Sequence, residues 1–199
     1  MNLIQQPSAW IFLVGFVIYV GIRARFESKV EAEAKTVEDR KDGVEKALLG
    51  LVLIGSLLIP VLYLLTPLFA FADREQSLAL LSGGAVLMAL ALWLFYRAHA
   101  DLGVNWSASL EIREEHKLVD QGVYQRVRHP MYAAIFLFSI SQGLLLPNWV
   151  AGLSAFVSFL PLYLVRVPRE EAMMRETFGV AYEDYCGRTG RIVPGVGWI

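Results

Sequence analysis

Apolar residues in this chain fall in long blocks rather than in strand-like alternation. The blocks run over residues 3–22, 47–65, 77–96, 131–146 and 149–165. A helix needs ~20 mostly apolar residues to cross the hydrocarbon core of a bilayer. The first three blocks meet that length. The last two are shorter and are separated only by Pro147 and Asn148, which predicts a tight antiparallel helical hairpin. Pro60 lies inside the second block and should bend it, because proline removes a backbone donor. Gly83 and Gly84 in the third block predict close helix contact. The expected fold class is therefore all-α, an integral membrane bundle of five transmembrane helices with a C-terminal helical hairpin.

Polar segments separate these blocks. RARFESKVEAEAKTVEDRKDG, residues 23–43, reads as a mixed-charge connector, either a solvated loop or a surface helix. Two more polar stretches run over 98–130 and from 166 to the end. No internal repeat interrupts the pattern, so residues 1–199 read as one domain, with 1–76 forming N-terminal helices and connector and 77–199 the core.

Composition sharpens the membrane reading. The chain is 56% hydrophobic, against ~45–50% apolar in ordinary soluble domains. A net charge of −1 gives no electrostatic reason to expect a nucleic-acid partner. A single cysteine, Cys186, excludes an internal disulfide. No basic residue precedes the first apolar block, so it is expected to be a retained helix and not a cleaved signal. With five spans, the polar connector, the 98–130 segment and the C-terminal tail share one side. That side holds every Lys and Arg except Arg74, which predicts that it faces the cytoplasm.

The candidate chemistry lies at the edges of the last two blocks. GVYQRVRHPMY, residues 122–132, gathers Tyr124, Arg126, Arg128, His129 and Tyr132 around Pro130 at the mouth of an apolar segment. Proline suits the first turn of a helix. One reading is a plain helix start, with Arg128 reaching lipid phosphate and Tyr132 in the interfacial aromatic belt. The other is a proton-exchanging or hydrogen-bonding His129 at a membrane boundary. RVPREE, residues 166–171, ends the last block. Pro168 predicts a kink or break, and Arg166 and Glu170 are spaced to share a helix face. Below the headgroups such charges need partners or a ligand. In FGVAYEDYCGRTGRIVP, residues 178–194, Phe178, Tyr182 and Tyr185 are spaced for one aromatic helix face, with Gly187 and Gly190 in turns and Pro194 closing the segment. That face either packs on the bundle or covers an organic ligand. The histidines His99, His116 and His129 have no HExxH spacing, Cys186 offers no CxxC, and no Walker or dinucleotide glycine loop is present, so no metal site is expected.

These three clusters carry a resemblance. DLGVNWSASLEIREEHKLVDQGVYQRVRHPMY, then RVPREE, then FGVAYEDYCGRTGRIVP resemble the isoprenylcysteine carboxyl methyltransferase family, including its prokaryotic members, over roughly residues 80–194. The RHPxY piece alone is shared with membrane phospholipid methyltransferases and some sterol reductases. The resemblance implies S-adenosylmethionine as methyl donor, bound on the cytoplasmic side beneath the C-terminal tail. It implies a cofactor wall of His116, Lys117, Leu118, Val119, Tyr124, His129, Pro130, Met131 and Tyr132, with Ser109 a further candidate. Glu170 matches the family's cofactor-binding acid, assigned to the ammonium of the methionine moiety. Arg166 matches the substrate-side arginine that positions the acceptor carboxylate. The roles of Glu171, Tyr182 and Tyr185, catalytic or packing, stay open. The implied reaction converts a lipophilic, prenylcysteine-like carboxylate to a methyl ester, with the membrane lipids as surroundings. The alternatives are a phospholipid or other lipid-amine N-methyltransferase, an NADPH-dependent sterol-reductase-like enzyme and a non-catalytic membrane scaffold.

Overall fold

A computed structural model of the chain describes residues 6–33, 43–103 and 118–195. The described residues are helical, with two isolated bridges and no extended strand. The helices are α1 (Pro7–Glu33), α2 (Gly43–Leu53), α3 (Ile59–Leu65), α4 (Leu78–Leu102), α5 (Pro130–Leu145), α6 (Trp149–Phe178) and α7 (Val180–Arg188). A π-helical segment, Ile54–Leu58, joins α2 directly to α3.

Four helical stretches are long and apolar enough to cross a membrane: Pro7–Ser28, Gly43–Leu65, Leu78–Leu102 and Trp149–Phe178. The protein is an integral, multi-pass membrane protein. α5 is apolar but only 16 residues long. It packs most extensively on α4, and Gly84 makes that approach possible. A Cβ at Gly84 would meet Leu145 Cγ at 2.8 Å, and Ser141 Oγ donates to the Gly84 carbonyl at 2.8 Å. The expected glycine contact is thus present, centred on Gly84. α1 lays Phe12, Phe16 and Tyr19 against Phe138 of α5, and Tyr19 stacks on Phe95 of α4 at 4.2 Å.

Pro60 does not end the helix in the second stretch. Instead the helix widens to a π turn just before it. A π turn loosens the α-helical hydrogen-bond ladder, and Pro60 itself has no amide to give. The Gly55 carbonyl there is taken by Ser154 Oγ at 2.6 Å and by Gln142 Nε2 at 3.4 Å. Gln142 also donates to the Ala151 carbonyl at 2.7 Å. In a bilayer core a freed carbonyl must find such a partner inside the protein. Outside this polar knot, the seam of α2 and α6 leaves an apolar groove of about 350 Å³ lined by Leu51, Ile54, Leu153 and Val157.

The predicted hairpin forms, and one polar knot locks its turn. Asn148 caps α6, its Oδ1 accepting from the amides of Val150 at 3.0 Å and Ala151 at 2.9 Å. Its amide group donates to the Phe69 carbonyl and to Asp73. Arg74 donates to the carbonyls of Gly143, Leu144 and Leu146 at the end of α5. This is the same end of the bundle to which α3 leads.

One sequence expectation needs correction. α6 does not break at Pro168. It runs unbroken from Trp149 through Pro161 and Pro168 to Phe178, with side-chain ties on both sides of Pro168. The connector after the first apolar block is helical as far as Glu33, continuing α1; residues 34–42 lie outside the described residues.

Candidate active site

The start of α2, the end of α4, the start of α5 and the second half of α6 meet at one end of the bundle, opposite Arg74 and Asn148. Four segments place the charged residues there. The first is the 3-10 turn Gly122–Gln125 that leads into α5. Gly122 has φ +60°, and its close approach to Asp101 leaves no room for a Cβ. Asp101, held by Arg97 at 2.8 Å, accepts the Val123 amide at 2.9 Å. Tyr124 donates to the Ala98 carbonyl at 3.2 Å, so the turn is fastened to the end of α4.

Pro130 is the first residue of α5, as the RHP spacing predicts, and His129 is its N-cap. The C-terminal tail runs beside this entrance. The Arg128 amide donates to the Gly190 carbonyl at 2.8 Å, the His129 amide to the Arg191 carbonyl at 2.9 Å, and the Gly190 amide to the Arg126 carbonyl at 3.0 Å. Tyr185 of α7 adds a hydrogen bond to the Tyr124 carbonyl at 2.7 Å. Burial pushes the phenol pKa values of Tyr124 and Tyr185 up, so both stay neutral donors at ordinary pH.

Adjacent acids on α6 then point to two different sides, as residues one position apart on a helix must. Glu170 Oε1 accepts from Tyr132 at 2.7 Å and from Arg166 Nε at 2.8 Å. The Glu170 side chain keeps 20% of its surface exposed. Glu171 is buried and gathers cations. Arg191 reaches it through Nε–Oε1 at 3.0 Å and Nη2–Oε2 at 2.7 Å. Arg128 Nε lies 3.4 Å away and Arg175 Nη2 3.7 Å. His129 stands between the two acids, Nδ1 at 3.6 Å from Glu170 Oε2 and Nε2 at 3.3 Å from Glu171 Oε1. Burial works against a charged imidazole, but hydrogen bonds to and charges on Glu170 and Glu171 outweigh it and hold the His129 pKa above its ordinary value. Arg166 has a second acidic partner, Glu45 in the first turn of α2, with Nη1–Oε1 at 2.9 Å.

The expected residues divide accordingly. His129, Tyr132, Arg166 and Glu170 come together as one hydrogen-bonded cluster, with Pro130 and Met131 in the turn that joins His129 to Tyr132. Tyr124 is buried beside the tail. Leu118 and Val119 are half-buried and lead to Asp120, which pairs with Arg188 of α7 at 2.5 Å, so the tail places them and not the acid cluster. Ser109, His116 and Lys117 lie outside the described residues. Arg128 does not reach for lipid. It is buried and donates to Glu171 and to the carbonyls of Cys186 and Thr189. Tyr132 is held by Glu170, not by the interface. The single aromatic face also needs correction: Gly179, at φ +52°, separates Phe178 on α6 from Tyr182 and Tyr185 on α7. Gly187 lies within α7 and makes no turn.

Sequence reasoning missed Glu45 and Arg191 as partners. An acid at the mouth of an apolar block is a costly placement and was a usable signal for Glu45. Arg191 gave none, because its partner is 20 residues away across a chain reversal.

Comparison with known proteins relates this end of the bundle to a known family. The model of the isoprenylcysteine carboxyl methyltransferase family matches residues 81–176, which cover most of α4, all of α5 and nearly all of α6. Protein-S-isoprenylcysteine O-methyltransferase B of Arabidopsis thaliana is 29% identical over 159 residues, covering 76% of this chain and 81% of the plant protein. Protein-S-isoprenylcysteine O-methyltransferase A of the same plant is 27% identical over 70% of this chain and 72% of its own length. The Homo sapiens protein-S-isoprenylcysteine O-methyltransferase is 32% identical, over 42% of this chain and 30% of its own. The solved structure of a eukaryotic intramembrane Ras methyltransferase of this family shares the fold, with a TM-score of 0.55 at 22% identity, over 98% of this chain and 70% of that one. The matched segment holds Arg128, His129, Tyr132, Arg166, Glu170 and Glu171 together, and over that segment the chain is similar to the isoprenylcysteine carboxyl methyltransferase family.

Proposed function

We propose that this membrane methyltransferase uses S-adenosylmethionine to esterify the carboxylate of a lipophilic, prenylcysteine-like acceptor, at the cytoplasmic end of a five-span bundle. One observation carries the reading. A guanidinium suited to a carboxylate, Arg166, and a partly accessible carboxylate suited to an ammonium, Glu170, sit 2.8 Å apart at one helix end. They face the junction of bundle and tail.

The residues present fit the donor. Glu170 keeps an accessible edge while Tyr132, Arg166 and His129 hold its orientation. Glu170 would meet the ammonium, and Leu118, Val119, Tyr124, His129, Pro130, Met131 and Tyr132 would form the wall, joined by His116 and Lys117 from the segment outside the described residues. When bound, S-adenosylmethionine supplies a methyl group on a sulfonium, which a carboxylate oxygen accepts with loss of the thioether.

The acceptor carboxylate has an ordinary pKa of about 4 or below, so it needs no general base. What the protein must supply is alignment, the proximity term of catalysis. Arg166 presents a planar fork to the acceptor and opposes the upward pKa shift that burial imposes on it. The tail, fastened by Gly190, Arg191 and Tyr185, keeps water from the junction, and a dry junction strengthens the charge contacts within it. A lipid acceptor arrives laterally between helices and a soluble donor from the aqueous side, so the reaction belongs where those routes meet.

The test is a membrane preparation incubated with methyl-labelled S-adenosylmethionine and N-acetyl-S-farnesylcysteine. A methyl ester releases volatile label on mild alkaline treatment. Label that resists alkali identifies an N-methyl product and rejects the carboxylate reading.

A further inference from the structure

Arg166 is already engaged by a carboxylate before any acceptor is considered. Glu45 lies in the first turn of α2, is 6% exposed and meets Arg166 Nη1 at 2.9 Å. Glu170 holds Nε of the same guanidinium on its other side. An acceptor carboxylate arriving at this fork would make a third acid around one cation, and like charges so close oppose one another.

We propose that Glu45 is a specificity-determining residue that stands in for the acceptor carboxylate on Arg166. The proposal rests on the reading of Arg166 as the acceptor's anchor. An ionised acceptor exchanges with Glu45 at the guanidinium. The methyl ester, which has lost the charge, does not hold that place, and Glu45 returns to it. The same exchange therefore favours acid over neutral analogues on entry and helps expel the neutral ester. Discrimination of this kind is built from a competing contact as much as from an attractive one.

The experiment compares wild type with Glu45→Gln, Glu45→Asp and Arg166→Ala in detergent, using N-acetyl-S-farnesylcysteine as acceptor and its methyl ester as inhibitor. Glu45→Gln keeps the shape and removes the competing charge. It should lower the acceptor KM by ~3–10-fold, the scale of one partly screened ion pair. It should also tighten inhibition by the methyl ester, while affinity for S-adenosylhomocysteine stays within about two-fold. Both effects should vanish in an Arg166→Ala background. Glu45→Asp, drawn back by one methylene, should shift KM in the same direction by less, and it decides the matter should Glu45→Gln fail to fold. An acceptor KM that rises or holds in both Glu45 variants, with only kcat reduced, overturns the proposal and leaves Glu45 a structural clamp. Unchanged acceptor KM and kcat in Arg166→Ala sinks the acceptor reading of Arg166 itself, and Glu45's role with it.

Discussion

Arg191 closes on Glu171 with two parallel hydrogen bonds, 3.0 and 2.7 Å long, and so ties the C-terminal tail to the last long helix. The pair is worth more than a surface ion pair because the Glu171 side chain is 2% exposed and Arg128, His129 and Arg175 share it. Removing the acid leaves several cations without their common partner. Breaking a buried pair in this way costs ~3–5 kcal/mol. Glu171→Gln is expected to lower the thermal midpoint markedly and to open the chain after residue 178 to protease. Arg191→Ala should cost less, roughly 1.5–3 kcal/mol for the charged hydrogen bonds lost. Scanning fluorimetry and limited proteolysis in detergent check both. Equal midpoints in wild type and Glu171→Gln would show that the tail is held by other contacts.

Glu170 faces the opposite side and carries a different expectation. Its hydrogen bonds to Tyr132 and Arg166 keep it in place, and its accessible edge is what a cationic group can reach. Glu170→Gln should weaken S-adenosylhomocysteine binding by ~10–100-fold, the value of one charge-assisted hydrogen bond. Calorimetry on purified protein measures it. Unaltered affinity rejects the assignment.

The His129 pKa is raised in the fold, because the acids Glu170 and Glu171 outweigh its burial. A raised folded pKa means that the stabilisation is complete below the unfolded value of ~6.5 and is lost as pH rises through the folded pKa. Protection of the tail should therefore decline as pH rises above the ordinary histidine value of ~6.5. Tyr132, Arg128 and Arg191 also face this site, so the control is direct substitution. His129→Gln should flatten the decline, read by proteolysis or amide exchange of residues 180–195. A full pH slope in that variant assigns the titration elsewhere.

Gly55 is the tightest helix contact. A Cβ there would lie 2.1 Å from Ser158 Oγ and 2.4 Å from the Ser154 carbonyl, which is backbone and cannot rotate aside. Gly84 faces a Leu145 side chain at 2.8 Å instead. Overpacking of this kind costs ~1–3 kcal/mol. Gly55→Ala should destabilise the protein more than Gly84→Ala, by thermal midpoint in detergent. The reverse order would mean that α6 yields more readily than the α4–α5 contact.

The helices and their hairpin were legible in the chain because both signals are local. A bilayer rewards continuous apolar blocks of a set length, and Pro147-Asn148 leaves room only for a tight reversal. The Arg166–Glu170 pair was legible for the same reason, since i,i+4 spacing determines it wherever the helix lies. Helix continuity through Pro168 was not. The preference of proline to break a helix is local, and it lost to ties from Glu45, Tyr132 and Arg191, which are distant in sequence. The burial of Arg128, the division of labour between Glu170 and Glu171, and the partnership of Glu45 with Arg166 were likewise decided only in three dimensions. An isolated charge at a membrane edge can turn to lipid or to protein with equal ease. Only the arrival of the start of α2 and the tail at one end of the bundle supplies the partners that settle which.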